Sequence, residues 1–281
     1  MAGRLFVVAT PIGNMGDLSP RASEVLAAVD IVAAEDTRVT GKLLARIGAK
    51  KRMVSYREQT EHRLSQELVG RMLEGESVAL VSDAGTPTIS DPGYRLVHAA
   101  AEAGVEVVSV PGPSAAIALL SVSGLATDRF RFEGFPPPRD AARTRLLESL
   151  AGSATTVVFY ESPRRVARFL REVAAALGDP PVAVGRELTK MHEEVVRGTA
   201  SEVAEHFSAA EPRGEFVIAV RVEARDETLA GDALDEAVAA LASQGLSARE
   251  IAAQLKPRGA HRRDVYAALQ RIGTVDLEAG E

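Results

Sequence analysis

The chain has no cysteine and no tryptophan, and only 4% of its residues are aromatic. Without cysteine there can be neither a disulfide framework nor a thiolate metal site. The five histidines are scattered and show no ligand spacing such as H-E-x-x-H, so no metal site is expected. No apolar run reaches the ~18 residues of a membrane span. Met1-Ala2-Gly3-Arg4 leads straight into a strand-like run, which is not signal-peptide chemistry. A soluble cytoplasmic protein with no membrane partner is expected. An excess of positive charge is missing too, since the formal net charge is −6. That argues against binding nucleic acid by bulk electrostatics and turns attention to local clusters of arginine and lysine.

What remains is an ordinary globular composition, 46% hydrophobic and 26% charged over 281 residues. Such a length suggests about two domains of ~100–200 residues. Short apolar runs at 5–9, 31–34, 78–81 and 105–108 alternate with helix-like stretches at 19–28, 40–47, 60–73 and 93–103. Ser19 and Pro20 supply an N-cap and a first helical residue, and Gly48 closes the second helix. This alternation predicts a parallel sheet covered on both faces. After Pro111-Gly112-Pro113 come a small-residue helix, Ser114 to Ser123, and an aromatic, basic, proline-rich stretch from Arg129 to Arg145. Strand-like runs resume at 155–160, 182–186, 194–197 and 216–222. A helix over 162–177 is predicted, capped by Ser162. The division expected is 1–112 and 113–225 as two α/β domains, with 226–281 as a small helical tail. Within that tail Ser247 and Glu250 form a capping-box pattern.

Several common nucleotide and hydrolase signatures are absent. The turn after the first strand, Thr10-Pro11-Ile12-Gly13-Asn14-Met15-Gly16, is not G-x-G-x-x-G. Gly41-Lys42 is not a phosphate loop, because Leu43 stands where Ser or Thr is needed and no glycine lies five residues earlier. No G-x-S-x-G elbow occurs.

Four other segments follow strand ends, where α/β enzymes build sites. They are Ala9-Thr10-Pro11-Ile12-Gly13-Asn14, Ala34-Glu35-Asp36-Thr37-Arg38, Ser82 to Gly93 (SDAGTPTISDPG), and Val110-Pro111-Gly112-Pro113-Ser114-Ala115. Each alone suits a strand-to-helix turn. Together and in this order they resemble the tetrapyrrole-methylase superfamily, and AEDTR and SDAGTP resemble its ribosomal RNA branch. Phe159 to Arg165 (FYESPRR) and Arg186 to Lys190 (RELTK) extend the resemblance, which covers about residues 4–272.

The resemblance implies a two-domain α/β tetrapyrrole-methylase (class III S-adenosylmethionine methyltransferase) fold with a small C-terminal helical appendix. It implies an S-adenosylmethionine site in the cleft between the domains. By position, Pro11 and Gly13 border it, Ser82, Asp83, Gly85 and Thr86 approach the amino-acid end, Ser114 and Ala115 offer groups at a helix start, and Glu161 and Leu188 line the far side. It further implies 2′-O-methylation of a cytidine in the decoding region of small-subunit (16S) ribosomal RNA, by a homodimer. Glu35, Asp36 and Arg38 are candidates for orienting the ribose, although Asp36 or Thr37 equally suits an N-cap. Lys190, beside His192 and Glu193, is a candidate proton acceptor if its pKa is lowered, or else part of a solvated loop.

Arginines near aromatics can hold phosphate and stack unpaired bases. Arg129, Arg131 and Arg139, with Arg143 and Arg145, surround Phe130, Phe132 and Phe135, some of which must be core. Arg164 and Arg165 follow in the next loop. Lys256, Arg258, His261, Arg262 and Arg263 form a second basic group, suited to an RNA backbone or to a solvated helix face. Two rival functions stand beside RNA methylation: methylation of a small tetrapyrrole, and a non-catalytic ribosome-binding role.

Overall fold

The computed structural model describes residues 2–208, 213–224, 231–256 and 259–273. The chain divides into two compact units, Met1–Glu223 and Ala224–Glu281. Both α/β halves lie in the first unit, each with a five-stranded sheet of its own.

The first half holds β1 (Arg4–Val8), α1 (Pro20–Ala28), β2 (Ile31–Ala34), α2 (Thr37–Arg46), β3 (Arg52–Ser55), α3 (Glu61–Leu73), β4 (Val78–Val81), α4 (Tyr94–Glu102) and β5 (Glu106–Val110). Its sheet runs β3-β2-β4-β1-β5, and every pair with a recorded register is parallel. β2 and β4 are buried along their whole length, which is why they are unbroken runs of Ile, Val, Ala and Leu. One face carries Leu64, Leu68 and Met72 of α3 with Leu96 and Ala100 of α4. The other carries Ala22 and Leu26 of α1 with Leu44 of α2. Each such large apolar side chain contributes about 1.5–3 kcal/mol on burial. The Ser19 hydroxyl accepts from the Ala22 amide at 3.0 Å, so the start of α1 follows its N-cap and Pro20. β3 escapes a reading by pattern because it is an edge strand of four residues with no fully buried position. The parallel order places the loops after β1, β2, β4 and β5 on one edge of the sheet.

The second half holds α5 (Ala115–Ser123), β6 (Phe130–Gly134), α6 (Asp140–Leu150), β7 (Ser153–Glu161), α7 (Val166–Leu177), β8 (Pro181–Arg186), β9 (Glu194–Thr199), α8 (Ala200–His206) and β10 (Phe216–Ala224). Its sheet order is β6-β7-β10-β8-β9. This sheet is mixed: β6 and β7 are parallel, while β8 is antiparallel to both β9 and β10. The short connection from β8 to β9 permits only that arrangement, since a parallel neighbour needs a long crossover. One face is filled by Phe159, Phe169, Phe207 and Phe216, so half of the eight phenylalanines are core. α5 covers the other face through Leu119 and Leu120.

One stretch with no expected element forms one, and two expectations are corrected. Residues 130–134 form a strand paired with β7, and Phe132 meets Tyr160 edge-on with centroids 5.0 Å apart. Arg143 does not face solvent: it is 3% exposed, and donates to Asp140 and Glu172 and to the carbonyls of Pro137 and Pro138. Ser162 does not cap α7, which starts at Val166 after Arg165. Ser162 instead offers its carbonyl to the amides of Arg165 and Val166 at 3.0 and 3.1 Å.

The second unit contains α9 (Gly231–Ala242), α10 (Ala248–Leu255) and α11 (Arg262–Arg271). Leu234, Val238, Ile251, Leu255, Val265 and Leu269 are its core. Ser247 and Glu250 close the capping box reciprocally. Among the described residues no helix is long and apolar enough to cross a membrane.

Gly93 joins the long loop after β4 to α4. Its φ is +137°, and an added Cβ would lie 2.7 Å from Leu80 Cδ2. Gly93→Ala should therefore lower stability by about 1–3 kcal/mol. Urea denaturation would read the loss, and an unchanged midpoint would show that the loop relaxes freely.

Candidate active site

Backbone pairing brings the loops together. The Thr10 amide donates to the Gly85 carbonyl at 2.8 Å, and the Gly85 amide returns a bond to Thr10 at 3.0 Å. Gly85 has φ +83°, which favours glycine at this turn. The Thr86 hydroxyl donates to the Pro113 carbonyl at 3.1 Å, tying the β4 loop to the start of α5. A Cβ on Gly112 would sit 3.0 Å from that of Ala9, so the loops after β1 and β5 nearly touch. The β8–β9 loop joins them, for the Asn14 amide donates to the Thr189 hydroxyl at 3.1 Å. Gly13 leaves room for the Lys190 side chain, which any β-carbon there would strike. Among the described residues six non-glycine positions have positive φ, and Thr88, Ser90, Glu187 and Thr189 lie in these two loops. Strain gathered in this way is held by the surrounding packing and marks a functional region.

Two cavities meet there. The first, of about 380 Å³, is lined by Ile12, Gly85, Thr86, Ile89, Ser114, Ala115, Phe135, Tyr160, Glu161, Leu188, Phe216 and Val217, among others. Its volume lies in the range of small-molecule sites, about 300–1,000 Å³. The second, of about 770 Å³, is polar and lined by Glu35, Asp36, Arg38, Arg57, Glu58, Glu61, Asp83 and Tyr94 with their neighbours. Ser90 and Asp91 line both.

Six of the ten expected cofactor residues border the first cavity: Gly85, Thr86, Ser114, Ala115, Glu161 and Leu188. Pro11, Gly13, Ser82 and Asp83 line a separate cavity of about 230 Å³. Asp83 also faces the polar cavity, where its Oδ1 accepts from the Asp36 amide at 3.0 Å. The first cavity nevertheless suits S-adenosylmethionine. Its aliphatic and aromatic walls match an adenosine. Ser114 and Ala115 present the N-terminus of α5, where Ser114 makes no side-chain cap bond, and such a terminus favours a carboxylate. Glu161 is 3% exposed, and its Oε2 accepts no hydrogen bond although Arg165 lies 3.2 Å away. A buried carboxylate oxygen of this kind suits a cationic ligand.

The charged groups separate by environment. Asp36 caps α2, accepting from the Arg38 amide at 2.8 Å and from the Arg38 guanidinium. Those bonds hold its carboxyl well below the usual carboxylate range. Glu35, Asp36 and Arg38 thus do adjoin the polar cavity, but Asp36 and Arg38 are committed to each other. Burial instead raises Asp83, and it pushes Asp91 up to about 6, helped by the charge of Glu35. Lys190 corrects an expectation. Burial works to lower its pKa, yet its hydrogen bonds to Glu187 at 2.8 Å and Glu215 at 2.9 Å prevail, and the net shift is upward. It stays protonated and cannot serve as a neutral amine base.

The expected RNA-facing arginines also part company. Arg129, Arg139 and Arg164 are exposed. Arg131 pairs with Glu133. Arg165 turns inward to Glu161 and to the Pro136 carbonyl, 3.2 Å away. Arg262 lies over the Tyr266 ring at 5.4 Å, Arg263 is 94% exposed, and Arg258 lies outside the described residues. Sequence reasoning passed over Asp91, Tyr160 and Arg57. Asp91 stood inside a quoted motif with nothing in its spacing to mark burial. Arg57 follows the unrecognised β3 and donates to the Glu35 carbonyl at 3.1 Å.

Residues 4–204 match the family Tetrapyrrole (Corrin/Porphyrin) Methylases. A protein of Synechocystis sp. named ribosomal RNA small subunit methyltransferase I is 43% identical over 256 residues, 90% of this chain and 92% of its own. The protein of that name from Xylella fastidiosa is 45% identical over 270 residues, 94% of this chain and 98% of its own. This chain belongs to the tetrapyrrole methylase family. Solved structures agree on the fold. The methyltransferase CobJ matches with TM-score 0.60 at 17% identity, over 78% of this chain and 94% of its own. Uroporphyrin-III C-methyl transferase from Thermus thermophilus, complexed with S-adenyl homocysteine, gives 0.55 at 20% identity, over 78% and 98%.

Asp91 gives this family member a pH signature. An unfolded aspartate titrates at about 3.9. With the folded pKa raised to about 6, the stability this group contributes is full below the unfolded value and is lost as pH rises through the folded one. Asp91→Asn should therefore gain on the wild type as pH rises from acid to neutral. Because the group is partly solvated, the gain should be about 1–2 kcal/mol. Denaturation of both proteins across that range would measure it, and a constant difference would contradict a half-buried Asp91 with raised proton affinity.

Proposed function

We propose that this protein transfers the methyl group of S-adenosylmethionine to the ribose 2′-hydroxyl of a cytidine in the decoding region of 16S ribosomal RNA. The observation that carries this reading is the meeting of an apolar and a polar cavity at Ser90 and Asp91. It occurs in a chain 43–45% identical to proteins named ribosomal RNA small subunit methyltransferase I. Gly85, Thr86, Ser114, Ala115, Glu161 and Leu188 would hold the cofactor. When bound, it supplies an electrophilic methyl on a sulfonium and a neutral thioether as leaving group. Pro11, Gly13, Ser82 and Asp83 support that site by holding the loops behind it.

The polar cavity suits the nucleotide. Beyond their bonds to Asp36 and to the Glu35 carbonyl, Arg38 and Arg57 keep exposed N–H groups that can meet a phosphate, while Glu35 can accept from a ribose hydroxyl or from the exocyclic amine of cytosine. Its carboxylates disfavour an acidic tetrapyrrole, which weighs against a small-molecule methylase. The chain's own part is to orient the acceptor hydroxyl and exclude water, and positioning supplies most of the acceleration. Lys190 braces the β8–β9 loop through Glu187 and Glu215. Arg129, Arg139 and Arg164 on the first unit and Arg262 and Arg263 on the second are the outer contacts to the RNA backbone. The working form is a homodimer in the cytoplasm. Ile117 and Val122, 52% and 47% exposed on the otherwise apolar α5, suit burial against a second copy.

Small ribosomal subunits lacking the modification, incubated with labelled S-adenosylmethionine and mapped with nucleases, should carry label on one ribose 2′-oxygen. Label on a base, or none despite cofactor binding, would overturn the reading; failure to bind cofactor would favour a non-catalytic ribosome-binding protein. Asp36→Ala should lower transfer about 100-fold by misplacing Arg38 and the start of α2. S-adenosylhomocysteine affinity, read by calorimetry, should stay near wild type, and full activity of the variant would remove Asp36 from the site.

A further inference from the structure

We infer that the carboxylate of Asp91 accepts the proton of the 2′-hydroxyl as the methyl group is transferred. This rests on the function proposed above and names its proton acceptor.

Position comes first. Among the described residues only Ser90 and Asp91 line both cavities. A hydroxyl that enters from the polar side to meet a methyl carbon on the apolar side must reach their shared wall. Of the two, only Asp91 carries a basic group at neutral pH.

The loop is built to hold that carboxylate still. Thr88 and Ser90 have φ +75° and +63°, and Gly93 has φ +137°. At one end Thr86 is bonded to Pro113. At the other, the Gly93 amide donates at 3.0 Å to Oε1 of Glu61, itself 8% exposed. Between them Ser90 presses on the second sheet, for a Cβ on Gly134 would be 2.9 Å from its hydroxyl. Strained residues held by both sheets place Asp91 with little freedom.

The groups facing Asp91 make it a proton acceptor. Burial comes first, then Glu35 from the β2–α2 loop, with Asp83 from the end of β4 acting in the same direction. The Ser82 hydroxyl opposes them. Tyr160 of β7, also raised by burial, stays neutral. Glu58 and Glu61 add negative charge around the polar cavity. Its cations are engaged elsewhere: Arg38 on Asp36, and Arg57 on the Glu35 carbonyl. A carboxylate raised to about 6 is ionised at neutral pH and accepts a proton more readily than an ordinary one. The other candidates fall short. Asp36 is too weak a base and Lys190 is protonated; Glu161 lines only the apolar cavity, and Glu35 and Asp83 line the polar cavity without reaching the apolar one.

The step balances. An electron pair of the 2′-oxygen forms the new O–CH3 bond. The S–CH3 bond breaks, and its pair remains on sulfur as a thioether. The O–H proton passes to Asp91 and leaves to solvent through the polar cavity.

Asp91→Asn and Asp91→Glu, compared with wild type on small subunits lacking the modification, test this. Four quantities are needed: single-turnover rate against pH, S-adenosylhomocysteine affinity, subunit affinity, and the carbon-13 titration of the Asp91 carboxyl in the free protein. The wild-type rate should fall with one proton below about pH 6, matching that titration. Asp91→Asn should lose about 100-fold or more in rate and lose the acid limb, while both affinities stay near wild type. Asp91→Glu should recover part of the rate with the limb restored. An Asn variant with the wild-type rate, or with the limb intact, overturns the inference. So does a parallel loss of cofactor affinity, which would make Asp91 a binding group, or a carboxyl titrating in the ordinary range. If the wild type itself labels no ribose, the proposed function fails and the inference with it, an outcome distinct from a defect confined to the Asp91 variants.

Discussion

The reciprocal backbone pair between Thr10 and Gly85 is the contact on which the site depends. It joins the loops after β1 and β4, neighbouring strands whose carboxyl ends would otherwise splay into solvent. From that pair the Thr86 bond reaches the start of α5, and the Asn14 bond reaches the β8–β9 loop. Backbone amides and carbonyls near a ligand must be satisfied, and here the loops satisfy one another. On that side the cavity is shaped by main chain and by the small residues Gly85, Ser114 and Ala115, while Ile12, Phe135, Tyr160 and Leu188 supply its apolar walls.

Charge is organised around the same loops. A run of acidic residues at one sheet edge would repel itself, and each carboxylate meets that repulsion differently. Asp36 takes the Arg38 guanidinium and the Arg38 amide at the start of α2. Asp83 takes the Asp36 amide, and its own amide donates to Glu35 at 3.2 Å. Glu61 takes the Gly93 amide from within the core. Asp91 lacks such a strong partner, so burial and like charge raise its proton affinity. Residues alike in composition thus become a cap, a brace, an anchor and a base.

The arginines show the converse. Arg143, Arg164 and Arg165 look interchangeable in the sequence. Arg143 is enclosed by two carboxylates and two proline carbonyls, Arg165 folds back onto Glu161, and Arg164 stays in solvent. What separates them is the neighbours that folding supplies, the Glu172 carboxylate for Arg143 and the Glu161 carboxylate for Arg165.

Much of the fold was legible because its cause is local. Central strands buried on both faces must be runs such as Ile31–Ala34 and Val78–Val81, and helices packed on one side must repeat apolar residues as α3 does. Turn chemistry after the strands marked the four loops that build the site. Strands β3 and β6 were not legible, since polar residues, Arg52 and Ser55 in the one and Arg131 and Glu133 in the other, break up their short apolar runs. Nor was the mixed second sheet, which depends on pairings between distant segments. Proton affinity belongs wholly to the tertiary structure. Lys190 and Asp91 have ordinary chemistry in the chain, and only the neighbours that folding brings within a few ångströms raise the one and the other for opposite reasons, carboxylates around the lysine and burial around the aspartate.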